Sequence, residues 1–131
     1  MSLVSSFESF LRQLDIQFTE ENEGRRILFQ RDGMQYVFLY DPQDPVYFRI
    51  LLPRIAHIDN PNREQLLRLL TLSAGFKAGK VYYVGNDVWL AFEQFVTSAD
   101  ADVSSIFRRG FSVLTDMRND YNRNNENRDE E

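Results

Sequence analysis

Residues 75–97 read GFKAGKVYYVGNDVWLAFEQFVT. This stretch could be a phosphate loop, a ligand-binding aromatic hairpin, or the far edge of a packed sheet. A phosphate loop needs four residues between its glycines, then Lys and a hydroxyl residue, with a strand before and a helix after. Here three residues separate Gly75 from Gly79, and Val81 stands where the hydroxyl belongs. The order is also reversed: a leucine-rich run precedes the glycines and VYYV follows. No helix N-terminus would face a phosphate. The stretch therefore reads as a helix end at Gly75 and a turn that places Lys77 and Lys80 near the negative end of the helix dipole. The hairpin KVYYV/DVWLAFEQF then closes across Gly85-Asn86-Asp87.

Working upstream, NREQLLRLLTLSAGF carries Leu66, Leu67, Leu69, Leu70 and Leu72 at helical spacing. Asn60-Pro61 supplies an N-cap and a first-turn proline. The run is apolar over more than half its surface, so it is expected to pack centrally. Before it the period is two. RILFQ and MQYVFLY flank Asp32-Gly33, a dipeptide that accepts the positive φ of a type I′ turn. DPQDP then forces an extended loop, and VYFRILL reads as a strand ended by Pro53. Ile16 and Phe18 suggest one more short strand. Leu3, Val4, Phe7, Phe10, Leu11 and Leu14 form the face of an opening helix with Ser2 as its cap.

Downstream, a third helix is expected from Ser98 or Asp100. Its stripe is Val103, Ile106, Phe107, Phe111, Leu114 and Met117, reaching Tyr121. Beyond that, apolar surface is too scarce to offset ordering entropy. The expected organisation is a single α+β domain over 1–121 and a disordered, acidic, Asn-rich tail over 122–131. The order α-β-β-β-α-β-β-α, with the further short strand, predicts a mainly antiparallel sheet with helices packed on one face.

Composition narrows the function. The 131 residues carry 43% hydrophobic and 14% aromatic residues, which is globular. There is no cysteine, which excludes a disulfide scaffold. The N-terminus lacks a basic segment followed by an apolar run, so no signal peptide is expected. No stretch approaches the ~20 apolar residues of a membrane span. These features point to the cytoplasm and away from a membrane partner. Net charge is −5. The last thirteen residues hold five acids and two arginines, hence −3 of it, leaving −2 on the other 118. Nucleic acid needs a cationic face and is not an expected partner.

No catalytic or metal signature stands out. His57 is the only histidine, and no cysteine exists to complete a metal site with it. It reads as a partly exposed loop residue. Glu93 sits in an apolar strand on the side of Trp89 and Ala91. A buried carboxylate there could act as an acid, but glycoside chemistry needs a second carboxylate facing it. The expected state is a solvated Glu93, or one paired with Arg49 on a neighbouring strand. Thirteen arginines against two lysines suit protein contacts, and a compositional habit of the source genome explains them equally well.

The anomaly lies in the strands. Met34, Tyr36, Phe38 and Tyr40 share one face, yet the other still carries Val37 and Leu39. Phe48, Ile50 and Leu52 oppose Tyr47, Arg49 and Leu51, while Leu90 and Phe92 oppose Trp89, Ala91, Glu93 and Phe95. A sheet with one wet face should alternate more cleanly. Either a helix crosses this second face, or it stays uncovered and marks a contact surface. Its candidate partner-binding residues are Tyr47, Arg49, Trp89 and Glu93.

The run NREQLLRLLTLSAGFKAGKVYYVGNDVWLAFEQF, followed by a helix with Phe107, Phe111 and Leu114, resembles the second half of the bacterial YbjN-like family. These proteins are described as candidate sensory-transduction regulators. The resemblance covers the element order of about residues 3–121, and is tightest over 62–118. It rests on the hydrophobic pattern, the helix-to-GKVYY junction and the hairpin beyond it. It implies the fold of the type III secretion chaperones, which are homodimers that hold extended segments of other proteins in apolar grooves. No residue role carries over by position. The expectation is a non-enzymatic, cofactor-free protein- or peptide-binding module, homodimeric. The alternative is a small-ligand sensor with a pocket between the sheet and the Leu66–Leu72 helix. A hydrolase acting through Glu93 or His57 is a third class.

Overall fold

The structure, a computed structural model, describes residues 2–97 and 103–129. The elements are α1 (Leu3–Gln13), β1 (Phe18–Glu21), a 3-10 turn at Asn22–Gly24, β2 (Arg26–Arg31), β3 (Met34–Tyr40), β4 (Tyr47–His57), α2 (Arg63–Ala74), β5 (Gly79–Val84), β6 (Asp87–Phe95) and α3 (Ser104–Asp129). The fold is α+β, and the short further strand is real. Six strands form one antiparallel sheet in the order β1-β2-β3-β4-β6-β5.

Turn chemistry sets the hairpins. Asp32 and Gly33 both take positive φ (54° and 76°), as do Gly85 and Asn86 (58° and 69°). β4 does not end at Pro53. It continues to His57 through a register shift between Leu52 and Ala56. Proline has no N–H to give the ladder, so the chain bulges around it and then resumes pairing.

The core lies between the sheet and the helices. Phe7 of α1 stacks on Phe38 of β3 at 4.2 Å between ring centroids and meets Phe107 of α3 edge-on at 4.9 Å. Phe107 in turn packs against Phe48 of β4 at 5.2 Å. Each buried ring contributes roughly 1.5–3 kcal/mol from the area it removes from water. Ser2 caps α1, its side chain accepting from the backbone N–H of Ser5 at 3.1 Å. At Gly110 an added Cβ would sit 2.8 Å from the Phe92 ring and 3.2 Å from Ile50. The missing side chain lets α3 press its backbone onto the sheet.

Two expectations for α2 are corrected. Its cap is Asn62, not Asn60. Asn62 Oδ1 accepts from the Gln65 N–H at 2.8 Å, and Gln65 Oε1 accepts from the Asn62 N–H at 2.9 Å. This reciprocal pair satisfies two end groups at once, and it leaves Pro61 outside the helix. α2 is also peripheral. It packs along β5 at the sheet edge, where only one stripe can meet the sheet. Leu69 and Leu72 are buried, whereas Leu66, Leu67 and Leu70 are 42%, 49% and 67% exposed. Ser73 Oγ accepts the Val81 N–H at 3.2 Å and ties α2 to β5.

α3 runs to Asp129, past the boundary at 121 that apolar periodicity sets. A helix nucleated by the buried stripe Val103–Met117 adds further residues at little cost each, so periodicity underestimates its length. Residues 122–129 are therefore helical where disorder was expected, and 130–131 lie outside the described residues. The expected helix starts at Ser98 and Asp100 fall among residues 98–102, also outside them.

Candidate functional site

Side chains on successive strand residues point to opposite faces. All three helices pack on the Phe38–Phe48–Phe92 side. Among the described residues, no helix lies over the other side. The strand register arranges that open face in rows. Leu28, Val37, Leu51 and Ala91 line up across β2, β3, β4 and β6. The next row is Arg26, Leu39, Arg49 and Glu93, and beyond it Tyr47 stands opposite Phe95. On the far side Tyr82 of β5 stands opposite Trp89.

The structure brings Tyr47, Arg49, Trp89 and Glu93 onto this one face. Phe95 is 64% exposed, and its ring lies 4.8 Å from that of Tyr47. Trp89 is half-buried, and its indole N–H is buried without an acceptor among the described residues.

Glu93 is the electrostatic centre. Its side chain is only 8% exposed. Tyr47 Oη donates to Glu93 Oε1 at 2.7 Å, Lys80 Nζ donates to the same oxygen at 2.7 Å, and Tyr82 Oη donates to Oε2. Burial alone would raise the pKa of this carboxyl. The hydrogen bonds from Lys80, Tyr82 and Tyr47, with the Lys80 charge, outweigh burial and hold it below the ordinary glutamate value. Burial and the hydrogen bonds to Glu93 raise both phenols, so they stay protonated donors. The same carboxylate holds Lys80 above the usual lysine value. Glu93 is thus an ionised acceptor of three donors with no proton to give near neutral pH. It fixes the rings and the ammonium around it.

Two members of this cluster escaped sequence reasoning. Lys80 reads from sequence as a cation near the α2 dipole. In the structure it is the second residue of β5 and points across the sheet to Glu93. Tyr82 carries no motif at all. The available signal was alternation: residues 80 and 82 share a face of β5 as 89, 91 and 93 share one of β6.

His57 lies at the end of β4, not in a loop, and its side chain is 58% exposed. Its Nδ1 stands 2.7 Å from Asp87 Oδ1 and its Nε2 3.0 Å from Asp59 Oδ1. The hydrogen bond with Asp87, then the Asp59 charge, raise its pKa. Among the described residues no three His, Asp or Glu side chains are placed to hold a metal. No described helix is long and apolar enough to cross a membrane.

No protein-family model matches the sequence, and no curated protein matches it. Among solved structures, the chain is similar to YbjN of E. coli, whose structure is described as that of a candidate transcription regulator. The match covers 95% of this chain and 97% of that one at a TM-score of 0.69 and 12% identity. The YbjN likeness expected from the element order of residues 3–121 is thus a shared fold over nearly the whole chain: a six-stranded antiparallel sheet with three helices.

Proposed function

We propose that this protein is a non-enzymatic regulatory or chaperone-like module that docks an extended segment of another protein on the open face of its sheet. Trp89, Tyr47 and Phe95 anchor that segment in an aromatic rim. Arg49 and the Glu93 cluster orient it. The observation that carries the reading is the one-sidedness of the packing. Three helices share one face, while the other carries the exposed Phe95 ring and the half-buried Tyr47, Trp89, Leu28 and Val37, beside the buried Leu51 and Ala91. The description of the fold neighbour as a candidate regulator accords with it. The module works in the cytoplasm as a homodimer, and the exposed leucines of α2 are the surface we assign to self-association.

The test is Trp89→Ala combined with Tyr47→Ala. Both side chains lie on the face away from the core, so unfolding stays cooperative. Capture of the protein partner drops at least tenfold. Capture at the wild-type level by a folded double variant refutes the docking face.

A further inference from the structure

On the helix side of the sheet, a cavity of about 590 Å³ opens between α1, α3 and the end of β2. Its apolar wall is Phe10, Leu14, Ile16 and Phe111. Two guanidiniums line it, from different elements. Arg31 ends β2, and its guanidinium lies over the Phe111 ring, 4.8 Å from the centroid. Arg108 is on α3, and its guanidinium lies over Phe10 at 5.4 Å. Stacking on a ring uses the face of a guanidinium and leaves its N–H edges free. Arg31 also donates to Thr115 Oγ1 at 3.1 Å, which fixes its direction.

The charges do not cancel. The acid in the lining is Asp32, whose side chain is 71% exposed and stands 3.4 Å from Arg31. No carboxylate of the described residues reaches ion-pair distance of Arg108. A chain of net charge −5 thus holds two cations over a greasy wall, with one exposed acid beside them. Guanidinium edges match a carboxylate in geometry and charge, and the wall beneath matches an alkyl tail. The volume falls within the ~300–1,000 Å³ of small-molecule sites.

We propose that this cleft binds a free amphipathic monocarboxylate of medium chain length. The carboxylate meets Arg108 and Arg31, and the tail lies along Leu14 and Ile16. The site is on the opposite side of the sheet from the docking face, so either proposal can fail without the other.

Decanoate, kept below its micelle concentration, is the probe, followed by amide chemical shifts and by calorimetry. Saturable shifts are expected at Leu14, Ile16, Gln30 and Ser112. Arg108→Gln, at an exposed position, preserves the fold by circular dichroism and weakens decanoate at least fivefold. Methyl decanoate, which lacks the charge, and butyrate, which lacks the tail, each bind at least tenfold more weakly than decanoate. Trp89→Ala with Tyr47→Ala leaves decanoate affinity unchanged. The proposal is overturned if the shifts fall elsewhere or do not saturate, if Arg108→Gln binds as tightly as wild type, or if the ester binds as well as the acid.

Discussion

Arg49 on β4 stands directly across from Glu93 on β6, yet the ammonium that reaches Glu93 comes from Lys80, one strand further out. Two phenols complete the shell around that carboxylate. The arrangement makes Glu93 the pin that holds β4, β5 and β6 side chains in one pattern, with Arg49 hydrogen-bonded to Tyr82 beside it. Glu93→Gln keeps the shape and removes the charge. The Tyr47 and Tyr82 donors then face a neutral acceptor, and Lys80 loses its ion partner. Lys80 is half exposed, so solvent screening discounts its share. The expected loss is about 1–2 kcal/mol, dominated by the charged hydrogen bonds. Urea unfolding at pH 7 measures it, and a wild-type midpoint would show that the cluster adds nothing to stability.

The same cluster predicts a pH dependence. The folded pKa of Glu93 lies below its ordinary value of 4.5, so the native state favours the ionised form. Its stabilisation is fully present above 4.5 and is lost as pH falls through the lower folded value. The Tyr47 and Tyr82 phenols behave in the opposite sense. Both are raised above 10.0, so their contribution holds below 10.0 and disappears as pH climbs through the folded values. Denaturation midpoints followed from pH 3 to 6 should therefore fall more steeply in wild type than in Glu93→Gln. Parallel curves would remove Glu93 from the account.

His57 should report its own clasp. Both ring nitrogens face carboxylate oxygens, and a neutral imidazole can donate from only one of them. The geometry therefore calls for the imidazolium. The pKa is raised, first by the hydrogen bond to Asp87, so the clasp is complete below 6.5 and opens as pH rises through the higher folded value. Because this is the only histidine, one pair of ring resonances gives the answer. Asp87→Asn should bring the midpoint back towards 6.5. An unchanged midpoint would contradict the assignment.

Much of this was legible in the sequence, for identifiable reasons. Period-two alternation and two turn dipeptides placed β2, β3, β5 and β6, because residue chemistry alone decides such turns. Alternation also put Tyr47 with Arg49 and Trp89 with Glu93. The expected placement of Arg49 on a strand beside Glu93 holds, since the two stand opposite each other across β4 and β6, but the ion partner is Lys80. The contacts of Lys80 and Tyr82 with Glu93 depend on the sheet order and on the β5–β6 register. The placement of α2 was misjudged for a similar reason. A leucine-rich stripe states that a helix has an apolar side, but not whether its neighbour is the sheet centre or an edge strand. The cap moved from Asn60 to Asn62 because the reciprocal bond with Gln65 outcompetes a proline at the first turn.

The two faces of the sheet should answer mutation differently. Phe107→Ala on the helix side leaves a void among Phe7, Phe10 and Phe48, at a cost of about 3–5 kcal/mol. Phe95→Ala on the open side removes a ring that is 64% exposed, so the change is within about 0.5 kcal/mol. Equilibrium denaturation of the two variants compares them directly. A large loss at Phe95 would mean that something in the molecule covers it.

Gly110 offers a sharper test of the core. Alanine is favoured over glycine inside a helix by about 1 kcal/mol, so an open site would gain from Gly110→Ala. Here the new Cβ would stand 2.8 Å from Phe92, a ring 1% exposed with packed neighbours on its other side. On the sheet the ring packs against Phe48, 6.1 Å between centroids. Overpacking costs about 1–3 kcal/mol and exceeds the propensity gain, so the expected net effect is a loss on the order of 1 kcal/mol. A stabilised variant would show that α3 sits further from the sheet than the Gly110 backbone indicates.

The leucines of α2 carry the prediction about assembly. Leu67 and Leu70 are exposed on a helix whose inward stripe, Leu69 and Leu72, already meets the sheet. Changing both to Lys removes apolar surface without opening the core, so monomer stability should hold within about 0.5 kcal/mol. Two cations per subunit on a shared contact would repel each other and break it. Light scattering should then show wild type at twice the chain mass of 15.5 kDa and the double variant at the single mass. Wild type at the single mass would leave these leucines without a role in self-association. A dimeric double variant would move the interface to another surface.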